Sequence, residues 1–563
     1  MSASPPRRRV AVVAGLAAIA LGAGLLLPAL ALLGVDVPGL VGDRAPAAAA
    51  GAPHYVEEAM AAGVEHRYEG DYEYFVGGGV AVFDCNADGL PELYIAGGSS
   101  PAALFHNNSP TGAPLAFSRL ADAATDLPAV TGAYPLDIDG DGQVDLAVLR
   151  RGENVLLRGL GDCRFERANE RWNFAGGDAW TTAFSARWED GSTLPTLAVG
   201  NYVDEASRYN DRLCHDNEVF RPAAPDGAGY LPPVPLAPGW CALSMLFSDW
   251  DRSGRADLRV SNDRHYYSDY SDGQEQLWRI DAGQDPRPYT RDDGWQPVRI
   301  WGMGIASADL TGDGFPEYFL SSQGDNKLQS LADGPGQPRY QNVALALGAT
   351  AHRPFTGGDA LPSTAWHAEF QDVNNDGFLD LFIAKGNVEK QPGYAEHDPS
   401  NLLLGQADGT FIESAEEAGV LHFDRGRGAA LVDLNADGLL DLVEVVRREN
   451  VKVWRNVGAG DAGQPQPMGN WLAVQLQQPD ANQDAIGAWI EVRAGDRVWS
   501  REVTVGGGHG GGQLGPLHFG LGGAGRVELR VIWPDGVVGP WLLAAASQRV
   551  TVERGADAVR GEQ

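Results

Sequence analysis

The sequence predicts an all-β protein built mainly from a seven-bladed β-propeller, followed by a small C-terminal β domain and preceded by an apolar segment. Two observations predict the propeller. First, a short apolar run, an acidic loop and a second apolar run recur together at intervals of about 50–63 residues. Second, further strand signals follow each pair of runs, so that one unit holds about four short strands. A regular period with four strands per unit is typical of propeller blades.

Six of the seven units keep the acidic loop, and one has lost it. The loops begin at Asp84, Asp137, Asp249, Asp309, Asp372 and Asp433. The third unit, around Trp188 to Leu194, keeps both apolar runs but loses the acids, so we expect it to bind nothing. In the sixth unit, the runs Asn401 to Gln406 and Thr410 to Ala415 are separated by an Asp-Gly turn, which predicts a hairpin.

The two ends of the repeat array indicate how the ring closes. The seventh unit has only one further strand, Val451 to Val457. Residues 55–66 align with residues 411–422, which contain the fourth strand of the sixth unit. We therefore predict that Tyr55 to Glu58 supplies the missing outer strand of the seventh blade, which covers an open edge. Segments 204–239 and 327–362, rich in proline and polar residues, are predicted to be inserted loops.

The acidic loops have the chemistry of a site for a hard cation. Ca²⁺ prefers six to eight oxygen ligands, and glycine at position 6 permits the tight turn. One such loop would be equally compatible with an ordinary Asp/Asn/Gly turn, but six loops with the same spacing favour several Ca²⁺ sites, up to six. The predicted ligands are the side chains at positions 1, 3, 5 and 9 and the carbonyl at position 7. These are Asp84, Asn86, Asp88, Leu90, Glu92; Asp137, Asp139, Asp141, Gln143, Asp145; Asp249, Asp251, Ser253, Arg255, Asp257; Asp309, Thr311, Asp313, Phe315, Glu317; Asp372, Asn374, Asp376, Phe378, Asp380; and Asp433, Asn435, Asp437, Leu439, Asp441.

One of these loops also matches the EF-hand pattern, because Glu444 stands at position 12 of the loop that begins at Asp433. Its flanks are strand-like rather than helical, so we reject the EF-hand fold. Glu444 is then expected to face outward from a strand.

The N-terminus and the cysteines indicate export. Arg7, Arg8 and Arg9 precede an uncharged run from Val10 to Val35, which is long enough to span a membrane. Residues 1–35 are therefore either a retained signal anchor or a cleaved signal peptide, and residues 36–53 are a linker. The four cysteines suit disulfides in an exported chain. Because Cys214 and Cys241 bracket one proline-rich segment, we pair them, which leaves Cys85 with Cys163.

The C-terminal part changes pattern. Residues 54–460 form the predicted propeller, residues 468–553 a separate small β domain, and residues 554–563 a disordered tail. The run GGGHGGG, residues 506–512, is predicted to be a flexible loop. It satisfies the spacing GxGxxG, but the helix that a dinucleotide site needs does not follow. His509 in this run is a weak candidate for a metal ligand.

The repeats resemble FG-GAP/VCBS repeats, such as those in the seven-bladed head of integrin α-chains, which carry Ca²⁺ in a DxDxDGxxD hairpin loop. The C-terminal segments WLAVQL, AIGAWIEVRAG, LHFGLG and VIWPDG resemble the ASPIC/UnbV domain. The combination is similar to the cartilage acidic protein family, including its bacterial members. The run GGGHGGG departs from the Gly-aromatic-Ser-type stretch that is usual there.

The function predicted from the sequence is binding rather than catalysis. The formal net charge of −32 argues against nucleic acid as a partner. The chain lacks the patterns HExxH, GxSxG and the P-loop. We expect a monomeric calcium-binding propeller at the cell envelope, facing away from the cytoplasm, which contacts the membrane only through its N-terminal segment and binds a protein or glycan. His265, Tyr266, Tyr267 and Tyr270 are candidates for stacking on a sugar. The alternatives are an extracytoplasmic enzyme or accessory protein acting on polysaccharide or in secondary-metabolite biosynthesis, and a purely structural envelope component.

Overall fold

The computed structural model describes residues 50–204, 213–224, 227, 229–263 and 274–561. The predicted signal or anchor segment, most of the linker, and His265, Tyr266, Tyr267 and Tyr270 lie outside the described residues. Within these ranges, no helix is long and apolar enough to cross a membrane. Regular structure consists almost entirely of strands, which confirms the predicted all-β class.

Seven consecutive sheets correspond to the seven units; each contains four antiparallel strands, and the first sheet gains a fifth strand from the C-terminal part. Their strands, given sheet by sheet, are β2 Val80–Phe83, β3 Glu92–Ile95, β4 Ala103–Asn107, β5 Phe117–Leu120; β6 Val130–Leu136, β7 Asp145–Arg150, β8 Val155–Gly159, β9 Phe165–Arg167; β10 Thr181–Arg187, β11 Thr196–Asn201, β12 Asn217–Phe220, β13 Val234–Leu236; β14 Ala242–Ser248, β15 Asp257–Asn262, β16 Gln276–Arg279, β17 Arg287–Pro288; β18 Gly302–Ala308, β19 Glu317–Ser322, β20 Lys327–Leu331, β21 Tyr340–Asn342; β22 Ala365–Gln371, β23 Asp380–Lys385, β24 Asn401–Gly405, β25 Phe411–Glu413; and β26 Arg425–Val432, β27 Asp441–Arg447, β28 Lys452–Asn456 with β1 Tyr55–Glu57.

The sheets form a closed ring. The first strand of each sheet contacts the first strand of the next, in the cycle β2, β6, β10, β14, β18, β22, β26 and back to β2. The first two strands of each sheet are buried almost throughout, because neighbouring sheets cover both of their faces. Strands that are buried on both faces have continuous apolar sequences, and the repeats of this chain have such sequences.

The predicted closure of the ring is confirmed. Strand β1 comes from the N-terminal side of the repeats and pairs antiparallel with β28, with Tyr55 opposite Asn456 and Glu57 opposite Trp454. The Tyr55 hydroxyl donates to the Leu440 carbonyl at 3.0 Å. The helix α1 Ala59–Ala62 follows β1, as α3 Ala415–Ala418 follows β25, which matches the aligned sequences. The other helices are α2 Ala344–Leu347 and the 3-10 turns Tyr72–Tyr74 and Arg291–Asp293.

Two loop predictions are wrong. The segments 204–239 and 327–362 contain the outer strands of the third and fifth sheets, β12 and β13 in the first case and β20 and β21 in the second. Their proline content concealed these strands. Pro235 lies in β13, an edge strand, where a missing N–H costs no hydrogen bond in the sheet.

Both predicted disulfides are present, Cys85–Cys163 and Cys214–Cys241. The first joins the loop after β2 to the turn between β8 and β9, and thus links the first and second sheets. The second connects the segment before β12 to the start of β14. Disulfides persist in oxidising compartments, so the folded part of the chain is suited to the cell exterior.

The C-terminal part forms two further sheets. The first contains β33 Leu517–Gly522, β29 Asn470–Gln477, β36 Gln548–Glu553 and β37 Arg560–Gly561; the second contains β31 Arg497–Glu502, β30 Trp489–Ala494, β34 Arg526–Ile532 and β35 Leu542–Ala545. Leu472, Ile490, Leu529 and Val550 are buried between these sheets.

The predicted boundaries of the C-terminal part need two corrections. The tail predicted to be disordered contains β37, in which Arg560 pairs with Thr551. The domain is also not separate from the ring. Its strand β32 Gln513–Leu514 joins the first sheet of the ring and runs parallel to β2.

Candidate metal centres and the ring axis

The six acidic loops share one hydrogen-bond arrangement. The backbone N–H at position 6 donates to the carboxylate at position 1 in every loop. The pairs are Gly89–Asp84 at 2.8 Å, Gly142–Asp137 at 2.9 Å, Gly254–Asp249 at 2.9 Å, Gly314–Asp309 at 3.0 Å, Gly377–Asp372 at 2.6 Å and Gly438–Asp433 at 2.9 Å. Each of these glycines has a positive φ, which glycine adopts without steric cost.

The backbone conformation at position 4 of these loops is a feature that the sequence did not predict. It also has a positive φ in all six loops, at Ala87, Gly140, Arg252, Gly312, Asn375 and Ala436. Gly140 and Gly312 are the only clear sequence signal for it, because alanine and arginine rarely adopt this conformation. The loop therefore turns twice, and both turns direct backbone amides toward the carboxylate at position 1.

In the six sheets with an acidic loop, the acid at position 9 begins the second strand, and in several of them it fastens the loop to the third strand. Asp380 accepts hydrogen bonds from the Val373 and Gly405 amides, both at 2.8 Å. Asp441 accepts from the Leu434 and Asn456 amides at 2.9 and 2.8 Å. Asp145 makes the same pair of bonds. All six acids at this position are buried, and Asp145, Asp380 and Asp441 hold their hairpins together whether or not they bind a metal.

Burial and the neighbouring carboxylates raise the pKa of several acids in these loops. Burial raises the pKa of Asp380 well above its usual range, and the neighbouring Asp372 and Asp376 raise it further. Burial likewise raises the pKa of Asp441, with Asp437 and Asp433 adding to it. A bound cation offsets both effects, because it supplies the positive charge that a buried group of carboxylates lacks.

The donor set in the loops fits an oxygen-ligated cation. Oxygen atoms of Asp137, Asp139 and Asp145 lie within 4.8 Å of one another. Asp139 Oδ1 and Asn435 Oδ1 are buried without a hydrogen-bond partner. Unpaired buried oxygens are costly and suggest a missing ligand. Ligation by the side chains and by the position-7 carbonyls stays a prediction. Cys85, Glu92 and Cys163 also lie close together, but both sulfurs belong to the disulfide.

Two loops have individual features. Arg158 on β8 forms ion pairs with Asp139, at 2.9 Å from Nε to Oδ2, and with Asp141, so part of the most acidic loop is already neutralised. In the third unit, Thr196 stands where the other units have the ninth acid, and its hydroxyl donates to Glu189 at 2.9 Å. A hydroxyl that bonds to the half-buried Glu189 there takes the place of the buried ninth carboxylate.

The expectation for Glu444 is wrong. Its side chain is fully buried in β27, where it accepts a hydrogen bond from the Ser400 hydroxyl at 2.7 Å and contacts His422 Nε2 at 2.9 Å. The reason is that both faces of this strand are covered by neighbouring sheets. Glu444 does not belong to the acidic loop.

The C-terminal domain lies directly on the acidic loops. Trp499 Nε1 donates to the Gly377 carbonyl at 2.8 Å, and Arg549 donates to the Gly89 carbonyl at 2.7 Å. Gln483 donates to the Gly140 carbonyl at 2.5 Å. Arg252, in the fourth loop, pairs with Glu491 at 2.8 Å. The geometry of the loops thus also sets the surface on which this domain packs.

The glycine run predicted to be flexible instead enters the centre of the ring. The Gly507 amide donates to the Met245 carbonyl at 2.6 Å, and the Gly508 amide donates to the Ile305 carbonyl at 2.7 Å. The Ala133 amide donates to the Gly510 carbonyl at 3.0 Å. The loop therefore bonds to the first strands of three sheets. Only glycine permits so close an approach between backbones.

His509 is the only side chain of the glycine run, and it is fully buried. Its Nε2 accepts a hydrogen bond from the Gly77 amide at 3.1 Å, and its Nδ1 donates to the Met303 carbonyl at 3.2 Å. Both nitrogens are thus engaged by protein, which argues against the metal-ligand hypothesis for His509. The bonds require the neutral imidazole, and burial lowers the pKa of His509 to about 3.

Acidification is expected to destabilise the protein through His509. Between about pH 6.5 and 3, the unfolded chain binds a proton that the folded chain excludes, so the free energy of unfolding falls as the pH falls. The slope approaches about 1.4 kcal/mol per pH unit, or about 2 kcal/mol between pH 6.5 and 5. The measurement compares denaturant unfolding of wild type and His509→Gln at several pH values. The difference between them should shrink toward low pH; a constant difference contradicts the prediction.

Comparison with known proteins agrees with the ring of acidic hairpins and the attached β domain. The FG-GAP-like repeat model matches residues 84–148 and 372–444, and the ASPIC and UnbV model matches residues 478–559. Cartilage acidic protein 1 of Mus musculus is 23% identical over 491 residues, which span 81% of this chain and 70% of the mouse protein. Cartilage acidic protein 1 of Xenopus tropicalis is 26% identical over 226 residues, or 36% of this chain and 30% of the frog protein.

Among solved structures, the BP39L lectin from Burkholderia pseudomallei aligns with 69% of this chain and 98% of its own, at 11% identity and a TM-score of 0.44. BBS1N in complex with ARL6DN aligns with 71% of this chain and 96% of its own, at 10% identity and a TM-score of 0.40.

The molecule is therefore a repeat protein in which FG-GAP-like hairpins carry an ASPIC and UnbV domain. Within that class it is similar to cartilage acidic protein 1 over most of its length. The repeats, the relatives and the two disulfides together indicate an extracellular protein.

Proposed function

We propose that this protein is a calcium-stabilised, seven-bladed β-propeller that binds a protein or glycan partner at the cell envelope without catalysing a reaction. The observation that carries the proposal is the hydrogen-bond arrangement shared by the six acidic loops, together with buried oxygens that have no partner at Asp139 and Asn435. Calcium in these loops stabilises the ring and the surface on which the C-terminal domain packs. The N-terminal apolar segment, whether it is retained as an anchor or cleaved as a signal peptide, directs the folded part of the chain out of the cytoplasm.

A calcium titration of the full chain tests the metal sites. Calorimetry after chelator treatment is expected to show several Ca²⁺ sites, up to six. Asp372→Ala removes the carboxylate that organises the sixth loop and should lower the stoichiometry by one. Asp190→Ala in the third loop, which has lost the acid pattern, is the matched control and should leave the stoichiometry unchanged. An absence of calcium binding, or equal stoichiometry in all three proteins, contradicts the proposal.

Partner binding is tested separately by crosslinking the full chain in its native membranes and by screening glycans and hydrolase substrates. Retention of a protein or glycan without turnover supports the binding function. Turnover of a polysaccharide contradicts the non-catalytic assignment.

A further inference from the structure

A cavity of about 440 Å³ lies on the face of the ring opposite the acidic loops. Its lining comes from the ends of the first and second strands that are remote from those loops. Trp180 precedes β10 and Trp366 is the second residue of β22, whereas Tyr202, Asp263 and Gln323 follow the second strands of their sheets. The volume falls in the range of about 300–1,000 Å³ that is typical of sites for small molecules.

The bottom of this cavity is held in place by the glycine run. Met303 lines the cavity, and its carbonyl accepts the hydrogen bond from His509. The Trp366 ring also lines it and packs against the His509 ring, with 5.2 Å between centroids. The disulfide Cys214–Cys241 belongs to the same apolar cluster and braces one wall. The cavity is therefore preformed, and a ligand needs little ordering of the protein on binding.

The walls are mainly aromatic. Tyr72 and Trp180 pack edge to face with ring centroids 5.8 Å apart, and Trp180 and Tyr202 pack similarly at 5.0 Å. Asp263, Gln323 and Gln391 add hydrogen-bonding groups, and Gln323 donates to Gln391 at 2.7 Å. An apolar pocket with a few convergent polar groups is typical of a binding site. Rings that are flat, apolar on their faces and polar at their edges fit such walls.

Positive charge is concentrated around this cavity although the chain as a whole is strongly acidic. Arg427 is fully buried, its guanidinium lies 4.0 Å from the Trp366 ring, and it bonds to the Phe75 and Val388 carbonyls. Among the described residues it forms no ion pair. Glu389 is shared by three arginines, Arg425, Arg447 and Arg448.

Lys390 completes this charge pattern. It lines the cavity, is exposed, and has no ion pair with any carboxylate in the part of the chain that the structure describes. Among the described residues that line the cavity, the cation is Lys390 and the acids are Glu389 and Asp263, and the three arginines that pair with Glu389 offset its charge. With the charge of Glu389 offset, Lys390 is available to pair with an anionic group on a ligand whose apolar face packs against the aromatic walls.

We propose that this cavity binds a hexuronate, a sugar ring that carries a carboxylate. This deepens the proposed function, on which it rests, by naming the class of glycan and its site. The aromatic side chains contact the face of the sugar ring, Asp263 and the two glutamines bond to its hydroxyls, and Lys390 pairs with its carboxylate. The hexuronate is either the end of an acidic polysaccharide or a free sugar acid.

The test is titration of the full chain with glucuronate, a glucuronate-terminated oligosaccharide and glucose, followed by calorimetry and tryptophan fluorescence. Glucuronate should bind more tightly than glucose, and rising salt should weaken its binding. Lys390→Ala should weaken binding about tenfold, the value of one charge-assisted hydrogen bond. Lys327→Ala, which removes a lysine from an outer strand, is the matched control and should change nothing. Tyr72→Ala should weaken binding while the melting temperature shows that the ring is folded.

The outcomes separate this inference from the function on which it rests. Equal affinity for glucose and glucuronate, no binding of either, or equal effects of the two lysine variants overturns the hexuronate site. If the same sample still binds calcium, the proposed propeller function survives that result. Tighter binding of the oligosaccharide than of glucuronate assigns the site to a polymer end, and equal binding assigns it to a free sugar acid.

Discussion

Replacing Gly79 with alanine is expected to displace the glycine run from the centre of the ring and to lower the free energy of unfolding by more than about 4 kcal/mol. A Cβ at this position would lie 1.7 Å from the Gly510 carbonyl oxygen and 2.1 Å from its carbon. Gly132, in the neighbouring sheet, contacts the same carbonyl, and a Cβ at Gly132 would lie 2.0 Å from the Gly510 oxygen. Because backbone lies on both sides, the clash cannot be relieved by a side-chain rotation.

Denaturant unfolding measures the loss of stability, and limited proteolysis within residues 505–512 measures the release of the loop. Gly515→Ala is the matched control, because it lies just beyond the same run and a Cβ there meets nothing within 4 Å. If Gly79→Ala and Gly515→Ala have equal stability and equal resistance to protease, the glycine run does not hold the two parts of the molecule together.

The repeating parts of the molecule were predictable because their signals are local. The apolar runs on both sides of each acidic loop became the first and second strands, and the similarity between residues 55–66 and 411–422 located the closing strand. The Asp-Gly turn after Gln406 joins β24 and β25 as predicted. In the hairpins, residues a few positions apart determine the conformation, whereas the closing strand was located because its sequence repeats that of the sixth unit.

The remaining features depend on contacts between distant residues. A run of glycines has no hydrophobic pattern, so its burial could not be predicted; it is set by the first strands of the ring, which lie hundreds of residues earlier in the chain. Positive φ at Ala87 and Ala436 has no signal in the residue type, because the hydrogen bonds of the whole loop impose it. The aromatic cavity combines Tyr72, Trp180 and Trp366, which are far apart in sequence and meet only when the ring closes.

Replacing Asp380 with alanine is expected to lower the free energy of unfolding by about 3–5 kcal/mol even without calcium. The Val373 and Gly405 amides each donate to one of its oxygens, and both are buried. Each unsatisfied buried donor costs about 1–3 kcal/mol, and the loss of the link between loop and third strand affects both donors at once. This effect differs from the loss of a metal ligand, because it originates in the protein's own hydrogen bonds.

Unfolding in excess chelator isolates this structural effect, and Asp313→Ala is the matched control. Asp313 is also a predicted ligand, but it is exposed and accepts a hydrogen bond only from the nearby Phe315 amide, at 2.9 Å. Without calcium, Asp313→Ala should cost less than about 1 kcal/mol. With calcium restored, both variants should lose a further increment through the lost ligand. If the two variants lose equal stability in chelator, the ninth acid acts only through the metal. A larger loss for Asp380→Ala than for Asp313→Ala means that each hairpin is fastened before calcium binds. The ion then stabilises a loop that is already in place.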